Sequence, residues 1–67
     1  MIEIEVNGEV RRVAPGATLL DLVDLLELGS QAVAMAVNRQ VVPRQLWQNR
    51  VLLSQDRIEI VRAIGGG

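Results

Sequence analysis

The first residues of the chain alternate between apolar and charged side chains. In "MIEIEV" the apolar residues would share one face of a strand and the glutamates the other, which is the period of a half-buried β-strand. Asn7 and Gly8 follow, and this pair favours a two-residue type I′ turn because both central residues need a positive φ. We therefore predict a hairpin whose second strand covers about 9–13. Such a turn would place Ile4 opposite Arg11, so a longer turn or a bulge is an alternative.

The next segment has the period of an amphipathic helix. Thr18 is a candidate N-cap, because its hydroxyl can accept from the amide of Asp21 and the Asp21 carboxylate can reach back. The apolar residues of "LLDLVDLLEL" recur at i, i+3, i+4 and i+7 and form one face, with acidic residues on the other. Gly29 suits the left-handed position that often ends a helix. We predict a helix whose acidic face is solvated; a docking role for that face is the alternative.

A second alternating segment follows the helix. In "AVAMAVN" large and small apolar side chains take turns, which indicates a closely packed interior strand. We predict that Arg39-Gln40 turns the chain into a short strand of two valines, which Pro43 ends because it has no N–H to donate. A helical turn at about 45–50 would then tuck Trp47 against the edge of the core.

The last apolar segment, "RIEIVRAI", predicts a final strand with Ile58 and Ile60 facing inward. A hairpin, a helix and further strands, in that order, predict an α+β domain over 1–67 in which the helix packs across one face of a mixed sheet. The first and last strands would lie side by side at its centre, which is the β-grasp (ubiquitin-like) arrangement. Residues 65–67 are glycines that add nothing to packing, so we predict a flexible tail there.

Composition narrows the chemistry. About half of the 67 residues are apolar, Trp47 is the one aromatic residue, and the chain has no Cys, His or Tyr. Disulfides and the usual zinc ligand sets cannot be built, so we expect no metal site. Of the usual nucleophiles and general bases, only hydroxyls, arginines and carboxylates remain. We therefore do not expect a self-contained enzyme.

Charge and hydropathy suggest where the protein acts. A net charge of −1 gives no electrostatic reason to bind nucleic acid. No apolar run approaches the roughly 20 residues that span a membrane, so we expect no membrane association. The first residues lack the pattern of a signal peptide, and a chain without cysteine fits a reducing compartment. These observations predict a cytoplasmic protein.

Several short motifs resemble a single family across essentially the whole chain. They are "VNGE" at 6–9, "AVN" at 36–38, "VVPR" at 41–44 with Trp47 after it, and "DRIEIVRAIGGG" at 56–67. In these motifs the chain resembles the small ubiquitin-like sulfur carriers of the ThiS family. The pair Gly66-Gly67 is the most specific feature, because it coincides with the end of the sequence. One departure is Gln55, where relatives commonly have glycine; it concerns a turn.

The resemblance implies a sulfur carrier for thiamine (thiazole) biosynthesis that is a substrate of other enzymes. In this family a partner enzyme uses ATP to adenylate the terminal carboxylate, and sulfur from a donor system then gives a thiocarboxylate that supplies thiazole synthase. Gly67 would carry the adenylate and the sulfur, while Gly65 and Gly66 would thread a narrow channel. The resemblance implies no cofactor bound to the chain itself. Without cysteine the chain could not hold sulfur on a thiol.

The last strand also predicts a docking face. If Ile58 and Ile60 point to the helix, then Arg57, Glu59 and Val61 face out beside the tail. The tail is short, so a partner that draws it in must touch this face. The alternative is that a strand bulge buries Val61.

Other interpretations of the tail stay open. The small subunit of molybdopterin synthase shares the fold and the tail, although it is usually longer and richer in aromatic residues. A ubiquitin-like covalent modifier would join its terminal glycine to a lysine of a target protein. In a plain β-grasp interaction module the glycines would be incidental. A further alternative is that the glycines are an expression remnant or part of a severed linker.

Overall fold

The computed structural model describes residues 1–29 and 31–62, which form a five-stranded mixed sheet with one α-helix packed on it. The elements are β1 (Ile2–Val6), β2 (Glu9–Val13), α1 (Leu19–Leu25), β3 (Val33–Val37), β4 (Gln40–Val42), a 3₁₀ helix (Arg44–Asn49) and β5 (Arg57–Arg62). The sheet order is β2-β1-β5-β3-β4, with β1 and β5 parallel and the other pairs antiparallel. This confirms the predicted β-grasp fold with its first and last strands adjacent.

The β1–β2 hairpin has the predicted two-residue turn. Asn7 and Gly8 have φ values of 50° and 85°, as a type I′ turn requires. Ile4 pairs with Arg11, so the longer turn or bulge considered as an alternative is wrong. The pair is tolerated because β2 is an edge strand, where the long Arg11 side chain reaches solvent while Ile4 is buried.

The predicted capping box begins α1. The Thr18 hydroxyl accepts from the Asp21 amide at 3.3 Å, and the Asp21 carboxylate accepts from the Thr18 amide at 2.9 Å. The residues that α1 buries are Leu19, Leu22 and Val23, which confirms the predicted apolar face. Asp21 itself is exposed, as expected for the acidic face.

The prediction that Gly29 terminates the helix is wrong. Glu27 takes the left-handed position instead, with a φ of 60°. The Leu28 amide donates to Val23 O at 2.9 Å and the Glu27 amide to Asp24 O at 3.1 Å, the two bonds of a Schellman motif. Leu28 packs against the core, and this contact explains why the chain turns two residues before the glycine.

Replacing Glu27 by glycine should therefore stabilise the domain. Glycine takes a left-handed conformation without steric cost, and this gain outweighs the larger entropy of the unfolded chain by about 0.5–1 kcal/mol. Urea denaturation measures the difference in unfolding free energy. Gly29→Ala is the control, because a Cβ there would meet only Asp24 Oδ1 at 3.5 Å. The assignment of the helix end would be wrong if Gly29→Ala were the strongly destabilising change and Glu27→Gly had no effect.

The core lies between α1 and one face of the sheet. The 3₁₀ helix confirms the helical turn predicted at about 45–50, and its Trp47 is 1% exposed and closes this core at one edge. Its indole N–H donates to Val42 O at 2.8 Å, and the Arg44 guanidinium lies 5.3 Å from its ring centroid. Arg44 also donates to Gly29 O at 3.2 Å. Both side chains therefore stabilise the packing of the 3₁₀ helix.

Candidate functional site

Strand β5 carries the chain through the centre of the sheet toward its C-terminal residues. Along one edge it pairs with β1 at two positions, and along the other it pairs with β3 from Ile58 to Arg62. β1 ends at Val6, so β5 continues past the β1–β2 hairpin. The predicted tail residues, 65–67, lie outside the described residues. The described part of β5 ends at Arg62, three residues before the predicted tail begins in the sequence.

The side chains of β5 alternate as the sequence predicts. Ile58 is 1% exposed and belongs to the core, whereas Arg57, Glu59 and Val61 are exposed. Val61 is 63% exposed and pairs with Ala34 in an unbroken register, so the alternative of a bulge that buries it is wrong. The three residues predicted for docking thus share the open face of the sheet, the face opposite α1.

One part of the open face is apolar. Val61 lies opposite Ala34 on β3, and Ala36 of the same strand lies opposite Val41 on β4. Val41 is 76% exposed. Because the two alanines are short, both valines stand above the surface and can contact a partner. We call Ala34, Ala36, Val41 and Val61 the apolar corner.

The rest of the open face is mainly charged. Arg12 lies 3.4 Å from Glu3, as the hairpin register predicts, and Arg57 lies 3.9 Å from Glu5. These pairs are solvent-exposed and contribute little stability. Val10, which pairs with Glu5, is 64% exposed among them. We call this region the charged corner, which consists of Glu3, Glu5, Val10, Arg12 and Arg57; along β5, Glu59 lies between Arg57 and Val61.

The start of β5 is held by a buried polar network. Asp56 is 5% exposed, and its carboxylate accepts from the Leu53 amide at 2.8 Å and from Asn38 Nδ2 at 3.0 Å. The Arg50 guanidinium lies 3.4 Å from the same carboxylate. The Asn38 backbone N–H also donates to Arg57 O at 2.8 Å, and Asn38 Oδ1 accepts from the Arg57 N–H at 3.0 Å. Because the hydrogen-bond partners of the Asp56 carboxylate all come from the domain itself, we assign Asp56 a structural role.

Removing the Asp56 carboxylate should destabilise the domain strongly. Asp56→Ala leaves the Leu53 amide and the Asn38 amide group without an acceptor, and we expect a loss of about 2–3 kcal/mol in unfolding free energy. Asp56→Asn keeps one acceptor and should cost less. Glu59→Ala, an exposed change within β5 itself, should stay within about 0.5 kcal/mol. Thermal and urea unfolding compare the variants; equal stability of Asp56→Ala and Glu59→Ala would contradict the network.

The described residues provide surfaces for contact. Within 1–29 and 31–62 there is no group of three or more acidic residues arranged to hold a metal ion. Across the same residues, no helix has the length and apolar character needed to cross a bilayer. A shallow depression of about 560 Å³ lies between the two hairpin turns, lined by residues that include Glu5, Asn7, Asn38 and Arg57. What the geometry offers is an extended strand with an apolar corner beside its end.

Sequence reasoning missed part of this site. Val41 and the β3 alanines were not predicted to join Val61, although the small residues of "AVAMAV" all fall on the face opposite the buried Met35. It also missed Asn38. The signal there was an asparagine directly after the inward-facing Val37, at the point where a strand ends.

Comparisons with known proteins are consistent with this geometry. The sequence profile of the ThiS family matches residues 4–67. The chain is 30% identical over 66 residues to the sulfur carrier protein ThiS of Escherichia coli (strain K12), covering 98% of this chain and 100% of that protein. A crystal structure of the thiamine biosynthesis protein (ThiS) from Geobacter metallireducens superposes with a TM-score of 0.84 at 23% identity, covering 98% of this chain and 100% of that one.

A longer protein is similar as well. The thiazole synthase of Magnetococcus marinus is 38% identical over 66 residues, covering 98% of this chain. The match takes up 20% of the synthase. A segment similar to this chain is therefore part of a much larger polypeptide in that organism.

Proposed function

Because the chain belongs to the ThiS family, we propose that it is a sulfur carrier protein of thiamine (thiazole) biosynthesis. The observation that carries the proposal is the family match over residues 4–67, which includes the glycines at 65–67. The protein would act in the cytoplasm as a substrate of its partner enzymes, with no catalytic residue of its own. The chain has no cysteine, so a thiol cannot be where the sulfur is held.

The transfer would take place on the α-carboxylate of Gly67. A carboxylate oxygen attacks the α-phosphorus of ATP bound to an adenylating partner enzyme, and pyrophosphate leaves. Hydrosulfide (HS⁻), supplied by a donor system, then attacks the acyl carbon; AMP leaves with the carboxylate oxygen, and loss of the sulfur-bound proton yields the thiocarboxylate. Gly65 and Gly66 have no side chains, so an extended segment of this composition can enter a narrow channel that reaches the nucleotide.

Thiazole synthase would be the acceptor of the sulfur. The similarity of the whole chain to a segment of the Magnetococcus marinus thiazole synthase supports this assignment. Two activities that belong to one reaction sequence are commonly brought together on one polypeptide.

The open face of the sheet would dock both partners. From Val61 to Gly67 an extended chain reaches only about 20 Å, so an enzyme that holds Gly67 must also contact the end of β5. Val61, in the apolar corner, would contact the partner most closely. Glu59 and Arg57 lie progressively farther along the same strand and would contribute to the rim of the contact.

Mass spectrometry of the protein purified from cells tests the proposed function. We expect a fraction of the chain with one oxygen replaced by sulfur at its terminus. Ladders of the chain joined to other proteins would favour the ubiquitin-like modifier. If neither species formed, an interaction module would be the better interpretation. Sulfur delivery to molybdopterin synthesis in place of thiazole synthesis, in a reconstituted assay, would favour the molybdopterin-synthase subunit.

A further inference from the structure

The edge of β5 that faces β1 loses its partner strand before β5 ends. The β1–β5 pairing covers Glu5 with Arg57 and Val6 with Ile58, and the Asn7 amide then donates to Ile58 O at 2.9 Å. After that bond the hairpin turns the chain away from β5. Backbone groups on such an edge are otherwise left to water or to a foreign strand.

The side chain of Asn7 takes the place of the missing strand. Its Oδ1 accepts from the Ile60 amide at 2.9 Å, and its Nδ2 donates to Ile60 O at 3.2 Å. One side-chain amide therefore pairs with both backbone polar groups of one residue. The turn fixes this amide in place, because Asn7 is held at a φ of 50° and its own N–H is bound to Ile58.

A second asparagine binds the start of β5 in a different way. Asn38 has a φ of 51°; its backbone N–H donates to Arg57 O and its Oδ1 accepts from the Arg57 N–H, both from the other edge. It also contacts the buried Asp56 and so belongs to the network that stabilises the fold. Both asparagines are exposed, but among the described residues the Asn7 side chain hydrogen-bonds Ile60 alone. The Asn7 side chain therefore acts on the C-terminal part of β5.

We propose that Asn7 is a positioning residue for transfer at Gly67, and that its amide fixes the direction in which β5 leaves the sheet. This inference rests on the proposed function. Ile60 directly precedes Val61, and β5 is paired with β3 on its other edge, so the Asn7 amide completes the support of this part of β5 and orients Val61 of the apolar corner. A segment that is already extended loses less conformational entropy when a partner binds it. The apparent affinity falls in proportion to the population of this competent conformation.

The substitution Asn7→Gly isolates the role of the amide. Glycine accepts the φ of the turn and keeps the N–H that bonds Ile58, so the hairpin is retained while both bonds to Ile60 are lost. Asn7→Asp keeps an acceptor for the Ile60 amide, lacks the donor for Ile60 O, and should have an intermediate effect. Thr18→Ala is the control for general destabilisation, because it removes the cap of α1 and leaves β5 intact.

Two measurements test the inference. In the isolated protein, NMR hydrogen exchange at the Ile60 amide should be roughly tenfold faster in Asn7→Gly than in Thr18→Ala, since two neutral hydrogen bonds are lost. In ATP–pyrophosphate exchange with the adenylating enzyme that activates the wild-type chain, Asn7→Gly should raise the KM for the carrier by a similar factor. The kcat should be unchanged, because the reacting carboxylate is the same.

The outcomes separate the two proposals. Unchanged exchange at Ile60 in Asn7→Gly would overturn the role of the amide. Faster exchange with an unchanged KM would overturn the positioning role and leave the proposed function standing. A wild-type chain that no adenylating enzyme activates would overturn the proposed function and the positioning role together, and exchange at Ile60 would still show whether the amide holds the strand.

Discussion

Deleting Gly67 is expected to abolish activation of the chain by its adenylating enzyme while leaving the domain folded. The proposed chemistry takes place on the α-carboxylate of this residue, and shortening the chain by one residue withdraws that group from the nucleotide by about 3.3–3.6 Å. Reacting atoms must lie within roughly 3–3.5 Å of each other, so a displacement of this size stops the reaction. The buried core lies within residues 4–58 and is untouched by the deletion.

ATP–pyrophosphate exchange measures this effect directly. A chain with one residue added after Gly67 should be equally inactive, because its carboxylate would overshoot the nucleotide. Circular dichroism and thermal unfolding of both variants should match the wild type and so exclude misfolding. Normal exchange with either variant would show that the reaction does not occur at the Gly67 carboxylate.

Placing a charge at Val61 should weaken binding to the adenylating enzyme and to thiazole synthase alike. Val61→Asp would bury an unpaired carboxylate at the centre of the apolar corner once a partner docks, and we expect at least a roughly tenfold rise in both dissociation constants. The domain should stay folded, because Val61 is 63% exposed in the free protein. Isothermal titration calorimetry with each partner gives the two constants.

The chain offers a close control for this experiment. Val10 is 64% exposed on the same face and lies in the charged corner, so Val10→Asp makes the same chemical change at equal exposure. It should have a much smaller effect, as should Asp21→Lys on the exposed side of α1. If a folded Val61→Asp variant bound both partners with full affinity, or if Val10→Asp weakened binding equally, the apolar corner would not be the docking surface.

The sequence predicts the sheet well because its strongest signals are local. Strict alternation defines β1, and the Asn7-Gly8 pair defines its turn and register. The prediction of where α1 ends was wrong for a physical reason. The packing of Leu28 against the core decides where the helix stops, and this contact is made across the fold. Glycine at position 29 shows only where a left-handed conformation would have little steric strain.

The sequence predicts the part of the candidate site that depends on local alternation and misses the part that depends on contacts between strands. Alternation along β5 was enough to place Val61 on the open face. The partnership with Val41 depends on the β3–β4 register, which is set by a turn at Asn38-Arg39, both at positive φ, rather than at the predicted Arg39-Gln40. Asparagine takes a positive φ far more readily than most residues, so Asn38 was the overlooked signal for this turn. The glycines at 65–67 lie outside the described residues, and their roles stay predictions.

The parallel pairing of β1 and β5 has a practical consequence. Since both strands run in the same direction, and β5 continues past the end of β1, Met1 and Arg62 lie toward opposite ends of the sheet. An affinity tag or fluorophore attached at Met1 would therefore stand away from the docking end. Molecules immobilised on a sensor surface through Met1 would present the Arg62 end of the sheet to the solution, which suits kinetic measurements with the two proposed partner enzymes.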